Sequence, residues 1–161
     1  YNLRNDILMS MTDQLLNLIY TEKVREDEGG TYGVYPMGQL VKYPVERAVL
    51  QIFFNTAPAK QEKLMKIIYA EADAFAKNGP DEASLNKVKE YMLKKHNEDL
   101  KENGYWLNNL DEYFYTGIDN TKDYEKIVNS ITAKEVQDFL AKLLKQNNEI
   151  QVIMTVPEEN K

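Results

Sequence analysis

The order of the predicted elements indicates an α+β fold, in which several helices lie on one side of an antiparallel-dominated sheet. The first segment repeats apolar residues at helical spacing, as at Leu8, Met11 and Leu15. Two short segments rich in β-branched and aromatic residues follow it. Five more helical patterns then precede a final apolar segment. Three strands form a thin sheet for this number of helices.

The first helix is predicted over residues 4–25, and Gly29 and Gly30 end it because glycine readily adopts the left-handed cap conformation. A strand is predicted over residues 31–41. It is interrupted by Gly33, Pro36 and Gly38. Such residues indicate an edge position, a bulge or the close approach of another part of the chain.

The clearest strand is predicted over residues 47–55, where apolar residues alternate between two faces. Its short connection to the preceding strand predicts antiparallel pairing. Helices are predicted over residues 58–77, over 81–102 with Asp81 as N-cap, from 105 onward, near 124–131, and after a capping box formed by Thr132 and Glu135. Gly104 is expected to end the second of these helices, and residues 150–156 to form a last strand.

Length and composition limit the function classes. The chain has 161 residues, 43% of them apolar, which suits one folded domain. Its net charge is −6 and it has no basic block, so nucleic acid is not an expected partner. It has no cysteine, and no apolar run approaches the roughly 20 residues that span a bilayer.

The chain opens at Tyr1, almost inside a helix. We therefore expect residues 1–161 to form a single domain that is truncated at its N-terminal end and belongs to a longer protein. A targeting signal or an anchor could lie in the missing part.

The metal chemistry of this chain is limited by its ligands. A catalytic zinc site needs about three protein ligands, usually including histidines. His96 is the only histidine, so it has no histidine partner at the spacing of a helical zinc motif. We predict that His96 is a partly buried, hydrogen-bonded side chain. Asp27 and Glu28 are too few for a calcium or magnesium loop.

The corner between the first helix and the first strand carries the candidate chemistry. Arg25 ends the helix and Tyr32 begins the strand, so both side chains start from one bend. Guanidinium and phenol are hydrogen-bond donors that can hold a peptide carbonyl or stabilise charge on its oxygen. Neither group can activate water alone. The structural alternative is a salt bridge from Arg25 to Glu22 or Glu28 and ordinary packing of Tyr32.

The pattern Arg25-Glu26-x-x-Gly29-x-x-Tyr32, between an amphipathic helix and a strand, resembles a signature of the pitrilysin/insulysin family of inverted-zincin metallopeptidases. Four later segments resemble the family in the same order. They are residues 55–58, 79–89, 131–136 and 152–157.

The resemblance implies repeated homologous α+β domains that face one another across a chamber. The family's zinc motif, His-x-x-Glu-His, is absent here, so the resemblance implies a substrate-side domain that is inactive alone. Zinc is then bound outside this chain, by another domain of the same protein or by a partner subunit. Arg25 and Tyr32 take the family's role of holding a peptide substrate and stabilising the tetrahedral intermediate.

Other family members modify these expectations. Gly30-Thr31 resembles members from the bacterial envelope, which favours a periplasmic or envelope location. Some family members have lost their zinc residues and serve as scaffold subunits, so a non-catalytic scaffold or peptide-binding module is the alternative. An unrelated α+β domain is a third possibility.

Overall fold

The computed structural model describes residues 1–26, 31 and 33–155, without the side chains of Arg25 and Glu26. The α-helices are α1 (Leu3–Tyr20), α2 (Gln61–Asn78), α3 (Glu82–Asp99), α4 (Asn103–Thr116), α5 (Tyr124–Ser130) and α6 (Ala133–Leu144). A π-helical segment (Thr21–Glu26) continues α1, and a short 3₁₀ turn (Pro58–Lys60) precedes α2. The strands are β1 (Val34–Val41) and β2 (Arg47–Phe54). The α+β class is confirmed.

Helix α1 lies at the centre of the domain and contacts β1, α2, α3, α5 and α6. The sequence pattern predicts an amphipathic helix, but α1 is buried around most of its circumference because other elements surround it. Its buried side chains are Ile7, Leu8, Met9, Met11, Thr12, Leu15, Leu16 and Tyr20. The hydroxyl of Thr12 donates to the carbonyl of Leu8 at 2.7 Å, so this buried polar group is satisfied.

The predicted antiparallel pairing of the two strands is confirmed. The register runs from Val34 opposite Phe54 to Val41 opposite Arg47. Leu50 and Ile52 of β2 pack against the hydrophobic core. In the described part of the chain the sheet has these two strands alone, and it is stabilised by its packing on α1.

The close approach of another element explains Gly38. A Cβ atom at this position would lie 2.2 Å from Met9 Sδ and 2.4 Å from Met9 Cγ, on α1. The Gly38 N–H donates to Asp13 Oδ2 at 2.7 Å. Glycine therefore lets β1 lie directly against α1, and the hydrogen bond to Asp13 fixes the strand along the helix.

Two predicted helix starts are confirmed by their caps. Asp81 accepts the backbone N–H of Ser84 at 2.8 Å at the start of α3. At the start of α6, Thr132 and Glu135 form the complete capping box. These caps satisfy backbone donors that have no partner within the helix.

The prediction that Gly104 ends α3 is wrong. Helix α3 ends at Asp99, and Gly104 lies in the first turn of α4. The turn between them is stabilised by Trp106, whose indole N–H donates to the carbonyl of Leu100 at 2.9 Å. No other group lies within 4 Å of a Cβ built on Gly104, so glycine is not required there by crowding.

The prediction of a last strand is wrong for residues 150–155, which form no strand in the structure. Residues 156 and 157 lie outside the described residues. A strand forms only where its backbone hydrogen-bonds to the edge of another strand. Within the described residues, β2 is paired to β1 alone. Residues 150–155, β2 and α2 instead line a cavity of about 610 Å³.

The contact at Gly38 predicts a stability effect. We expect Gly38→Ala to lower the free energy of unfolding by about 1 to 3 kcal/mol, because the added methyl group overlaps Met9. Urea unfolding measures this. Gly104→Ala is the matched control, and we expect it to change stability by no more than about 1 kcal/mol, in the stabilising direction. Equal effects of the two substitutions would contradict this explanation of Gly38.

Asp13 predicts a pH dependence. Burial raises the pKa of the Asp13 carboxyl from 3.8 to about 6, although the N–H of Gly38 opposes the shift. The folded state therefore binds this proton more tightly than the unfolded state does. As a result, the free energy of unfolding falls as the pH rises from 3.8 to about 6. We expect Asp13→Asn to flatten the slope, measured by urea unfolding across about pH 4 to 7. The exposed Asp73→Asn is the control, and an unchanged slope in Asp13→Asn would refute the assignment.

Candidate functional site

The helical side of the predicted corner is anchored in the core. Tyr20, at the end of α1, is buried, and its hydroxyl donates to the carbonyl of Ile68 on α2 at 3.3 Å. One turn later, Val24 is also fully buried. The helical side of the corner is therefore fixed against α2.

The strand side is anchored as well. The Thr31 hydroxyl donates to the carbonyl of Gly33 at 3.0 Å and accepts its N–H at 3.2 Å. Val34 is buried and stands opposite Phe54 in the sheet. Val24 and Val34, on the two sides of the predicted corner, are thus both held in the core.

The two candidate site residues lie between these anchors. The backbone of Arg25 belongs to the π-helical segment, whereas its side chain lies outside the described residues. Tyr32, Asp27 and Glu28 lie entirely outside them. The joint presentation of Arg25 and Tyr32 therefore stays a prediction.

The helix before the corner differs from the predicted one. The α-helix ends at Tyr20, and residues 21–26 form a π-helical segment. The backbone of Arg25 therefore lies in a π-helical turn and not in the continued α-helix that the sequence pattern predicts. Such segments are rare and occur frequently at functional sites.

The prediction for His96 is confirmed. The side chain is 7% exposed, and its Nδ1 atom lies 3.3 Å from the Tyr105 hydroxyl. The imidazole also stacks on the Tyr124 ring, with centroids 4.2 Å apart. His96 therefore helps to join α3 to α4 and α5.

The described residues do not fit a zinc site. Among them, no group of three or more histidine, cysteine, aspartate or glutamate side chains is arranged to hold a metal ion. Within the same residues, no helix has both the length and the apolar character to cross a membrane.

Helix α4 presents a large apolar face to solvent, which the sequence pattern does not distinguish from a core face. Phe114 is 83% exposed. The exposed apolar side chains of this face are Trp106, Leu107, Leu110, Tyr113 and Phe114. Exposed apolar patches of this kind mark protein interaction surfaces.

Sequence reasoning missed a polar cavity that α1, α3, α4 and α5 line together. The only signal for it is that Asp6, Ser10 and Gln14 recur every fourth residue on α1, which places them on one face. The other walls come from distant segments, so the sequence alone does not bring them together.

The comparisons with known proteins find similarity in structure only. No family model matches the sequence, and no curated protein matches it either. The periplasmic protease PqqL from Escherichia coli is 15% identical, with a TM-score of 0.74 over 87% of this chain. A peptidase M16 inactive domain from Pseudomonas fluorescens is 19% identical, with a TM-score of 0.72 over 86% of this chain.

The chain has the fold of a peptidase M16 domain. The ferredoxin protease FusC, solved in complex with Arabidopsis ferredoxin, shares the same M16 fold at 14% identity and a TM-score of 0.73 over 89% of this chain. The expected pitrilysin-like fold is therefore confirmed. The chain spans 34% of the Pseudomonas structure and 16% of the PqqL and FusC structures.

Proposed function

We propose that this chain is the substrate-side domain of a zinc metalloendopeptidase. In this proposal Arg25 and Tyr32 bind the carbonyl of a peptide substrate, and the zinc is held by another domain of the same protein or by a partner subunit. The observation that carries the proposal is the M16 fold combined with the Arg25-Glu26-x-x-Gly29-x-x-Tyr32 pattern at its first helix-to-strand corner.

The anchoring of the corner supports this role. A group that stabilises a transition state must be held in place before the reaction. Val24 and Val34 are both buried in the core, and Tyr20 ties the preceding helix to α2. The nine residues between Val24 and Val34 are therefore flanked on both sides by fixed points.

The chemistry assigned to this chain is binding and charge stabilisation. The guanidinium of Arg25 offers several N–H donors, and the phenol of Tyr32 offers one O–H donor. Two donors directed at one carbonyl position it, and they bind more strongly as negative charge develops on its oxygen. Zinc, when present in the facing domain, supplies a Lewis acid.

The exposed face of α4 supports the presence of another domain. The neighbouring structures are about three to six times as long as the matched region, so each contains further protein around this fold. We propose that one of the other domains of the parent protein covers this face. Burial of Phe114 and Leu107 would remove large apolar side chains from water.

An alternative is a non-catalytic scaffold or peptide-binding domain. The Pseudomonas neighbour favours it, because that structure is described as an inactive domain. The FusC neighbour, which was solved with a protein bound, is consistent with peptide or protein binding in either case. The periplasmic PqqL neighbour supports an envelope location for the parent protein.

Substitutions at the corner test the proposal in the intact protein. We expect Arg25→Ala and Tyr32→Phe each to lower kcat for peptide hydrolysis by about 10²-fold or more, because each removes a donor to the developing oxyanion. Steady-state kinetics with a fluorogenic peptide measures this. Arg47→Ala and Tyr115→Phe are matched controls on exposed parts of β2 and α4, and we expect near-wild-type rates from them.

Three outcomes distinguish the catalytic role from the scaffold alternative. Loss of kcat at Arg25 and Tyr32, with intact controls, supports the catalytic role. Near-wild-type turnover in both corner variants would remove that role. Zinc-dependent hydrolysis that is undetectable in the intact protein, while the wild-type chain still binds peptide, would favour the scaffold.

A further inference from the structure

A cavity of about 350 Å³ lies away from the corner, and we call it the Asp6 cavity. Its walls include Asp6 on α1, His96 on α3, Tyr105 on α4, Tyr124 on α5, and Asn120 between α4 and α5. Along α1, Asp6 lies about 21 Å from Tyr20 at about 1.5 Å per residue, so the cavity is separate from the corner. Its volume is at the lower end of the roughly 300 to 1,000 Å³ of small-molecule sites.

The Asp6 cavity contains hydrogen-bond acceptors that have no donor among the described residues. The Asp6 carboxylate makes no hydrogen bond or ion pair with another described residue. The Asn120 Oδ1 atom is buried and also has no partner within the described residues. A buried acceptor left unpaired, such as Asn120 Oδ1, destabilises the fold, and a bound donor that also reaches the half-buried Asp6 carboxylate would satisfy it.

The charge around Asp6 is negative. Lys95, the lysine that lines the cavity, is paired with Asp99. Burial first, and the charge of Glu112 second, raise the pKa of the Asp6 carboxyl. Burial and nearby acidic groups, including Asp6, also raise the pKa of Tyr124 to about 12. A positive ligand is therefore favoured over a neutral or an anionic one.

Aromatic rings complete the walls. The His96 ring stacks on Tyr124, and Tyr105 meets His96 edge to face at 5.9 Å. The His96 side chain is more than nine-tenths buried, and its Nε2 atom has no hydrogen bond to another described residue. Organic cations are attracted to aromatic rings, whereas a metal ion needs several oxygen or nitrogen ligands that no cluster of described side chains supplies.

We propose that the Asp6 cavity binds the ammonium or guanidinium group of an organic cation. Asp6 is its counterion and Asn120 Oδ1 is a second acceptor. The cation is either a free small molecule or a lysine or arginine side chain of a peptide. This site is independent of the catalytic proposal, because it uses no residue of the corner.

A matched pair of probes tests the charge requirement in the intact protein. Isothermal titration calorimetry compares butylguanidinium with butylurea, which has a similar shape but no charge. We expect butylguanidinium to bind at least about tenfold more tightly, since a charged hydrogen bond to a carboxylate is lost in butylurea. Equal affinities, or no saturable binding of butylguanidinium at millimolar concentration, would overturn the proposal.

Variants locate the binding. We expect Asp6→Asn to weaken butylguanidinium binding at least about tenfold and Asn120→Ala to weaken it less. Asp73→Asn, which removes an exposed carboxylate on α2, is the matched control. Loss in Asp73→Asn, or unchanged binding in both cavity variants, would place the cation elsewhere. Thermal unfolding of each variant verifies that it is folded.

A second binding comparison identifies whether the cation is a free small molecule or a peptide side chain. A short arginine peptide is compared with the same peptide carrying citrulline, the neutral analogue of arginine. Binding of the arginine peptide at least about tenfold tighter than butylguanidinium, and lost with citrulline, supports a peptide side chain as the source. Binding no tighter than butylguanidinium supports a free small molecule.

Discussion

The contact between α1 and β1 is the constraint on which the rest of the structure depends. Helix α1 contacts β1, α2, α3, α5 and α6, and β1 lies on it without an intervening side chain at Gly38. The Asp13 hydrogen bond sets the position of the strand along the helix. The candidate corner joins these same two elements, so this contact and the anchoring of Tyr20 on α2 together set the distance between its ends.

The domain also contrasts satisfied and unsatisfied polar groups. Thr12, Asp81 and the Thr132–Glu135 capping box have their hydrogen bonds, as buried or helix-end groups normally do. Within the described residues, Asn120 Oδ1 and Asp13 Oδ1 are buried without a hydrogen-bond partner, and the half-buried Asp6 carboxylate also lacks one. Asp6 and Asn120 line the Asp6 cavity, where a ligand could satisfy them, whereas Asp13 lies at the contact between α1 and β1.

The sequence predicted the fold wherever local signals agree with packing. Alternation in β2, the cap at Asp81 and the Thr132 capping box led to correct elements, because each is decided by neighbouring residues. The prediction for Gly104 was wrong because glycine also occurs within helices, and Gly104 lies in the first turn of α4. The strand prediction for residues 150–155 was wrong because a strand needs another strand to pair with, and the apolar pattern of a segment does not show whether one is available. At the site, the roles of Arg25 and Tyr32 stay predictions from the sequence pattern, whereas the π-helical segment and the Asp6 cavity depend on tertiary contacts that the pattern does not report.

Trp106 has a practical consequence for measurements on this protein. It is the only tryptophan in the chain, and its indole is bonded to Leu100 at the junction of α3 and α4. Tryptophan fluorescence, excited at the red edge of the absorption band, therefore reports on this junction and not on the sheet or the corner. Fluorescence and circular dichroism would give the same unfolding curve only if the α3–α4 junction and the β1–β2 sheet unfold as one cooperative unit.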